Sequence, residues 1–414
     1  MGHALMGGGI APASSVADPL NARGVVLLGG DAPLVVVSVD WCEIRNDAYA
    51  RWCEALAAAA RTEPECVLVT SVHQHDAPVA DLEAERLLRE RRLAASVCDP
   101  EFHERAVTRV AAEVARSVKS AQAVTHFGVG QARVEGVASN RRYRAPDGTL
   151  RFDRTSATRD PVASAAELGT IDPWLKSLSF WNNDKPLAVI HAYATHPMSY
   201  YGRGEVSADF VGLARRRREQ DDPSVHHIYV SGASGNVTAG KFNDGSAANR
   251  QVLSERIYQG MCRAWQETQR HRLDKLSLVS TDLKLMPRTT PGFTAADLER
   301  RLAEEARPFE HCLAAMGLSR LRFADRGLRL SAIDFGSAKF ALLPGESYVE
   351  FQLQAQSLAP DDFVVVAGYG ECATGYVPIE QAWLEGDANL RDWCWVDPGA
   401  EAVMLAALAH VLRR

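Results

Sequence analysis

Cys66-Val67-Leu68-Val69-Thr70-Ser71-Val72-His73-Gln74-His75-Asp76-Ala77-Pro78 is the stretch that decides the fold. Residues 66–72 are rich in β-branched side chains and read as a buried strand, and a polar cluster begins where the strand stops. Upstream, residues 24–29 and 34–40 are apolar runs separated by Gly30-Asp31-Ala32-Pro33, which reads as a hairpin. Residues 48–61 follow a helical period between that hairpin and the strand. Strands alternating with helices, with polar groups at a strand exit, point to the α/β class.

The alternation continues along the chain. Asp81 is an N-cap for a charged helix over 82–96, and 101–120 reads as an amphipathic helix. Residues 175–181 and 187–193 read as paired strands around the turn 182–186, 226–230 as a short strand, and 248–270 as the longest helix. A strand follows over 275–286, and Thr294-Ala295-Ala296-Asp297 is a capping box opening a helix over 298–306. Residues 328–335 and 339–343 form another hairpin, 363–367 is the last strand, and 401–412 is an apolar closing helix. There is no fixed-period repeat and no Gly/Ser- or Pro-rich linker. The β–α alternation is too irregular for a (β/α)₈ barrel. The expectation is one α/β domain over residues 1–414, a mixed β-sheet core flanked by helices.

Composition narrows the function. With 46 Lys+Arg against 52 Asp+Glu, the 414-residue chain carries a net charge of −6, which offers no general attraction to nucleic acid or anionic lipid. A hydrophobic content of 46% with 24% charged residues is that of an ordinary globular protein. The longest apolar runs, 32–39 and 403–412, fall far short of the roughly 20 residues of a membrane span. Eight cysteines with no C-x-x-C pair exclude a four-thiolate zinc finger and a disulfide scaffold. The opening MGHALMGGGIAPASS shows neither a basic n-region nor an apolar h-region, so a cytoplasmic location is expected.

Polar signals gather where strands end. In an extended strand residues i and i+2 share a face, so His73 and His75 are expected to project together. Two imidazoles beside Asp76 suit zinc or another first-row metal, or are simply hydrogen-bonded histidines. His196-Pro197 stands at the exit of residues 187–193, as a ligand or a structural residue, followed by Ser207-Ala208-Asp209-Phe210. Arg215, Arg216, Arg217 and Arg218 wrap around the next helix and read as a solvated face. The loop from Ser231 to Gly240 offers hydroxyls and backbone N–H groups but lacks a phosphate-binding signature. In Leu343-Pro344-Gly345-Glu346-Ser347, Glu346 is either a site carboxylate or the first-turn acid of a helix.

Taken in order, these motifs resemble the catalytic domain of the neutral/alkaline (non-lysosomal) ceramidase family, from about residue 18 to residue 385. That family reads H-T-H-S-G-P where this chain has His73-Gln74-His75-Asp76-Ala77-Pro78, and N-R where it has Asn140-Arg141. It reads H-P before S-A-D-F, matched at His196-Pro197 and Ser207-Ala208-Asp209-Phe210, and P-G-E-F where this chain has Pro344-Gly345-Glu346-Ser347. Its tyrosine thirty residues on is matched by Tyr376.

The resemblance implies a zinc amidase whose Zn²⁺ ligands are His73, His196, Glu346 and Tyr376. It also implies that His75 and Arg141 serve catalysis beside the metal. The family's G-D-x-S-P-N loop is Gly235-Asn236-Val237-Thr238-Ala239-Gly240 here, which makes Thr238 a catalytic or orienting hydroxyl and Asn140 and Asn236 substrate contacts. The family's secretion signal and C-terminal immunoglobulin-like domain are not matched. Ligand positions kept while substrate-facing positions change imply a zinc-dependent hydrolase of a small N-acyl or lactam-like amide, not ceramide. An esterase or lactonase on the same site, or a non-catalytic metal-binding protein, are the alternatives.

Overall fold

Val35, Val36, Val37 and Val39 are buried on both faces of Leu34–Val39, which therefore lies in the middle of its sheet. In this computed structural model, which describes residues 1–304 and 307–413, Ala22–Leu27 pairs antiparallel with one edge of that strand. Val67–Ser71 joins the other edge in parallel, after a crossover through the helix Asn46–Ala60.

The same unit occurs twice more. Trp174–Asn182 and Lys185–Tyr193 pair antiparallel, and His226–Ser231 joins in parallel after the helix Asp209–Asp221. His126–Arg133 and Gln269–Arg272 extend the far edge of this sheet. Leu328–Asp334 and Ala338–Leu342 form the third antiparallel pair, with Ser277–Leu283 outside it. Phe363–Ala367 joins it in parallel after the helix Val349–Leu358. Val36, Leu68, Ile190, Ile228, Phe340 and Val365, drawn from all three sheets, share one apolar core. The architecture is mixed α/β, as expected, with the sheet divided in three.

Hydrogen bonds tie the carboxyl ends of the three parallel strands together. The Ser71 N–H donates to the Tyr369 carbonyl at 2.9 Å and the Gly368 N–H to the Ser231 carbonyl at 2.8 Å. The Ser231 hydroxyl donates to the Val72 carbonyl at 2.7 Å. Segments leaving the three sheets therefore converge, in the position where ligand sites of open α/β sheets lie.

All three expected hairpins are present. The helix expected over 82–96 is shorter, Leu82–Glu90, with the Asp81 carboxylate accepting from the Ala84 N–H. Half of the capping box is present: the Thr294 hydroxyl oxygen accepts from the Asp297 N–H, while the Asp297 carboxylate accepts from that hydroxyl and from the Gly292 N–H. Its helix is Ala295–Ala303, and the expected end at 305–306 lies outside the described residues. Pro308–Arg322 has no counterpart in the sequence reading. Every residue from His311 to Gly317 is buried, so no polar face marks the helical period. No helix among the described residues is long and apolar enough to cross a membrane.

The solvated-face reading of the four arginines fails for Arg215 and Arg218, which are both buried. A helix turns about 100° per residue, so consecutive residues cannot share one face. Arg215 is buried and grips Asp40 with both terminal nitrogens at 2.7 Å, while Arg217 stays exposed and pairs with Glu255. Removing one partner of a buried pair strands the other charge, at a cost of about 3–5 kcal/mol. Arg215→Ala should therefore show a large fall in Tm and denaturant midpoint. A loss below about 1 kcal/mol would class the pair with surface ion pairs.

Candidate metal centre

His73 enters the centre through strained backbone. Its φ of 71° is in the left-handed region, uncommon for a residue with a Cβ. The conformation is held by the Val72 and His73 N–H groups, which donate to the Val39 and Trp41 carbonyls at 2.8 and 2.9 Å. The ring stacks on Tyr369, itself at φ 55°, with centroids 4.3 Å apart. The strand ends at Ser71, so the expected i, i+2 alternation does not bring His73 and His75 together. The turn does: their rings meet edge to face at 5.3 Å.

His196 follows Lys185–Tyr193, and its N–H donates to the Val237 carbonyl at 2.9 Å. Glu346 follows Ala338–Leu342 through Gly345, whose φ is 59°. A Cβ at Gly345 would lie 2.1 Å from the Thr374 hydroxyl oxygen, so only glycine fits. Glu346 and Tyr376 are register partners in a short parallel pair.

Each histidine is oriented by a backbone carbonyl. Nδ1 of His73 donates to the Cys42 carbonyl at 2.8 Å, and Nδ1 of His196 donates to the Ser234 carbonyl at 2.6 Å. Carbonyls only accept, so both Nδ1 atoms carry the proton and both Nε2 atoms present lone pairs in the neutral rings. Those lone pairs face one carboxylate oxygen: Glu346 Oε2 lies 2.9 Å from His196 Nε2 and 3.2 Å from His73 Nε2. The His73 Nε2 contact is not aligned as a hydrogen bond and leaves that buried nitrogen without a partner.

Two lone pairs facing a carboxylate repel unless a cation or a proton lies among them. The three ligand atoms lie within 4.8 Å of one another, and the carbonyl-anchored imidazoles have the outer contacts usual for metal-bound histidine. The residues thus fit a divalent cation such as zinc. The titration tendencies of Glu346 and His73 place positive charge between those two residues. Burial opposes ionisation of Glu346, but His73 and His196 outweigh it and hold the carboxyl far below the usual carboxylate range. Burial likewise disfavours a charged His73, and Glu346 overrides it and raises the pKa. His196 is lowered to about 4 by burial, with Arg141 adding to the effect.

Arg141 is buried beside the cluster. Its Nη1 donates to the Tyr376 hydroxyl oxygen at 2.5 Å and to Asn389 Oδ1 at 3.2 Å, while its Nε is buried with no partner. Burial raises the Tyr376 pKa, against the pull of Arg141. His75 is lowered well below its ordinary value by burial and by repulsion from His73 and His196, so its ring is neutral at pH 7. Its Nδ1 is buried without a partner, and Tyr201 packs on its edge at 4.9 Å. His73, His75, Arg141, Glu346 and Tyr376 line one cavity of about 300 Å³.

The other expected site residues lie apart from this cavity. The Thr238 hydroxyl is fully buried, donates to the Thr155 carbonyl at 2.6 Å and accepts from the Gly240 N–H at 3.1 Å. It braces Thr155, a wall residue of the cavity. Asn140 donates to the Thr170 carbonyl, and Asn236 donates to Glu350 and accepts from the Val349 N–H. Both asparagines line a different cavity, of about 790 Å³. Thr238→Ser should melt like the wild type, and Thr238→Ala should lose about 1–3 kcal/mol by leaving the Gly240 N–H unsatisfied. An about 100-fold loss of turnover in Thr238→Ala at unchanged Tm would place the hydroxyl at the substrate instead.

Tyr369, Asn389 and Trp393 belong to this neighbourhood and were not singled out from the sequence. The available signal for Tyr369 was an aromatic residue between Gly368 and Gly370 at a strand exit. Asn389 sits in the short 3-10 helix Ala388–Leu390 and Trp393 in the loop after it, where no periodic pattern marks either. Cys42, with His73 and His75, forms a second close group of possible ligands. The His73 nitrogen beside the Cys42 thiol, at 3.9 Å, is Nδ1, which is already committed to the Cys42 carbonyl, and burial pushes the Cys42 thiol far up.

No protein-family model matches the sequence, and no curated protein matches it. Solved structures do. The chain is similar to neutral ceramidase from Pseudomonas aeruginosa, with a TM-score of 0.69 and 16% identity over 100% of this chain and 72% of that one. It is also similar to a ceramidase complexed with C2, with a TM-score of 0.70 and 16% identity over 100% of this chain and 73% of that one. Along its whole length, this chain has the fold of neutral ceramidase.

Proposed function

We propose that this protein is a zinc-dependent hydrolase that cleaves the amide bond of a small N-acyl or lactam-like molecule and acts poorly on ceramide. The observation that carries the reading is the convergence of His73 Nε2, His196 Nε2 and Glu346 Oε2, with each histidine locked by a carbonyl at Nδ1. Tyr376, in register with Glu346, is the fourth ligand in this reading. Zinc held by these residues supplies a Lewis acid and a nucleophilic water at neutral pH. Arg141 offers its unpartnered Nε–H to the oxygen on which negative charge develops, in a buried setting where such a donor acts strongly. The neutral ring of His75 takes a proton and returns it to the leaving nitrogen.

The amide specificity is proposed from the two ceramidase structures that share the fold. The change of substrate is proposed from the small cavity at His73 and Glu346, one wall residue of which, Thr155, is braced by Thr238 in the loop where the family's S-P-N is replaced by Thr238-Ala239-Gly240. A reducing, cytoplasmic setting is part of the same proposal, supported by eight cysteines that all stand unpaired. The test is turnover of short N-acyl amides, lactams, matched esters and a long-chain ceramide, before and after chelation and with zinc added back. Amide cleavage lost on chelation and restored by zinc is expected. Turnover indifferent to chelation, or a clear preference for ceramide or for esters, would overturn the corresponding part.

A further inference from the structure

The cavity at His73, Glu346 and Arg141 holds about 300 Å³, the lower end of the roughly 300–1,000 Å³ of ligand sites. Its apolar lining comes from Met6, Met198, Tyr201 and Trp393.

Trp393 is fixed from three sides. Its indole N–H donates to the Glu43 carboxylate at 2.8 Å, and Glu43 is held by Arg45 at 2.7 Å. Arg45 also lies 3.3 Å from Asp81, all three of these charged residues being fully buried. Trp395 packs on the Trp393 ring at 5.2 Å, and Phe309 stacks on it at 6.2 Å. The Trp393 carbonyl accepts from the Tyr376 N–H at 2.8 Å, and a Cβ at Gly375 would lie 2.1 Å from it. Met6 is anchored by its N–H, which donates to the Ala77 carbonyl just after the His73–His75 turn. The neighbouring Gly7 sits so that a Cβ would be 3.5 Å from the Trp393 ring.

A ring tied to a buried ion cluster, on a main chain itself bonded to the Tyr376 N–H, is a wall and not a gate. We infer that Trp393 and Met6 determine substrate size, restricting the site to amides of small carboxylic acids and excluding long acyl chains. This rests on the amidase reading above, and it names the two residues that would separate this chain from a hydrolase of long-chain lipids.

The test uses acetyl, butanoyl, octanoyl and hexadecanoyl amides of one amine as substrates. The four matching carboxylates are titrated calorimetrically, so that binding is read apart from turnover. The proteins are the wild type, Trp393→Leu and Met6→Ala, two independent changes in case one fails to fold. Each surplus methylene that meets the Trp393 wall costs about 10-fold or more, so wild-type binding and kcat/KM should fall at least about 100-fold from butanoyl to octanoyl. The variants should recover the octanoyl-to-acetyl ratio by about 10-fold or more. Equal handling of hexadecanoyl and butanoyl compounds by the wild type would overturn the inference. So would an unchanged ratio in both variants, or no carboxylate binding at all. Selective binding of short carboxylates with no amide cleaved would instead defeat the amidase reading and leave the size limit standing.

Discussion

Glu346→Gln should purify folded but nearly free of zinc, and it should hydrolyse no amide at a measurable rate. The substitution keeps volume but replaces the charged, acceptor-only carboxylate with a neutral amide that carries one acceptor oxygen and an NH2 donor. In the wild type that charge is buried and faces two imidazole Nε2 atoms at 2.9 and 3.2 Å. Replacing residues that merely orient metal ligands costs about 10–100-fold in metal affinity, so loss of a ligand charge should exceed about 100-fold. Zinc titration of the chelated protein measures it directly. His196→Ala should behave similarly, because its ring supplies one of the other two facing nitrogens. Wild-type zinc affinity in Glu346→Gln would remove the carboxylate from the centre.

The second large effect is expected at Arg141, without metal loss. Arg141→Lys keeps a buried cation but loses the planar fork, which now spans Tyr376, Asn389 and an unpartnered Nε–H. Loss of one oxyanion donor lowers kcat by about 10²–10³. KM should change little, and zinc content should stay at the wild-type level because His73, His196 and Glu346 are untouched. The competing account is that Arg141 only neutralises the Tyr376 region. In that case Arg141→Lys would retain kcat and only Arg141→Ala would lose it.

The sequence displays its strands well and its centre in part. The three hairpins are legible because each is a pair of apolar runs around a short polar turn, and their spans agree with the structure to within a few residues. The threefold recurrence of an antiparallel pair followed by a parallel strand is not legible. It is a pattern of pairing, and the units differ in length, so no fixed period marks it. His73, His196 and Glu346 were recognisable as strand-exit polar residues, and convergence follows because the strand ends are hydrogen-bonded together. The left-handed turn at His73 was hidden, since only tertiary contacts hold a histidine there.

At three of the expected site residues the structure shows side chains engaged with their own surroundings. Thr238, Asn140 and Asn236 are polar residues in a candidate loop, but each spends its hydrogen bonds on carbonyls, N–H groups or a neighbouring carboxylate. A motif shows that a hydroxyl is present and cannot show which way it points. The arginine run failed for the opposite reason: charge in sequence suggests solvent, yet Arg215 finds its partner Asp40 more than a hundred residues away and is buried with it.

The central claim is a zinc ion held by His73, His196 and Glu346, and anomalous X-ray scattering at the zinc edge from crystals of the purified protein tests it most directly. The account predicts one strong peak at about 2.0–2.2 Å from both Nε2 atoms and a Glu346 oxygen. A peak bound instead by Cys42 and His75, or none in protein soaked with zinc, would contradict it.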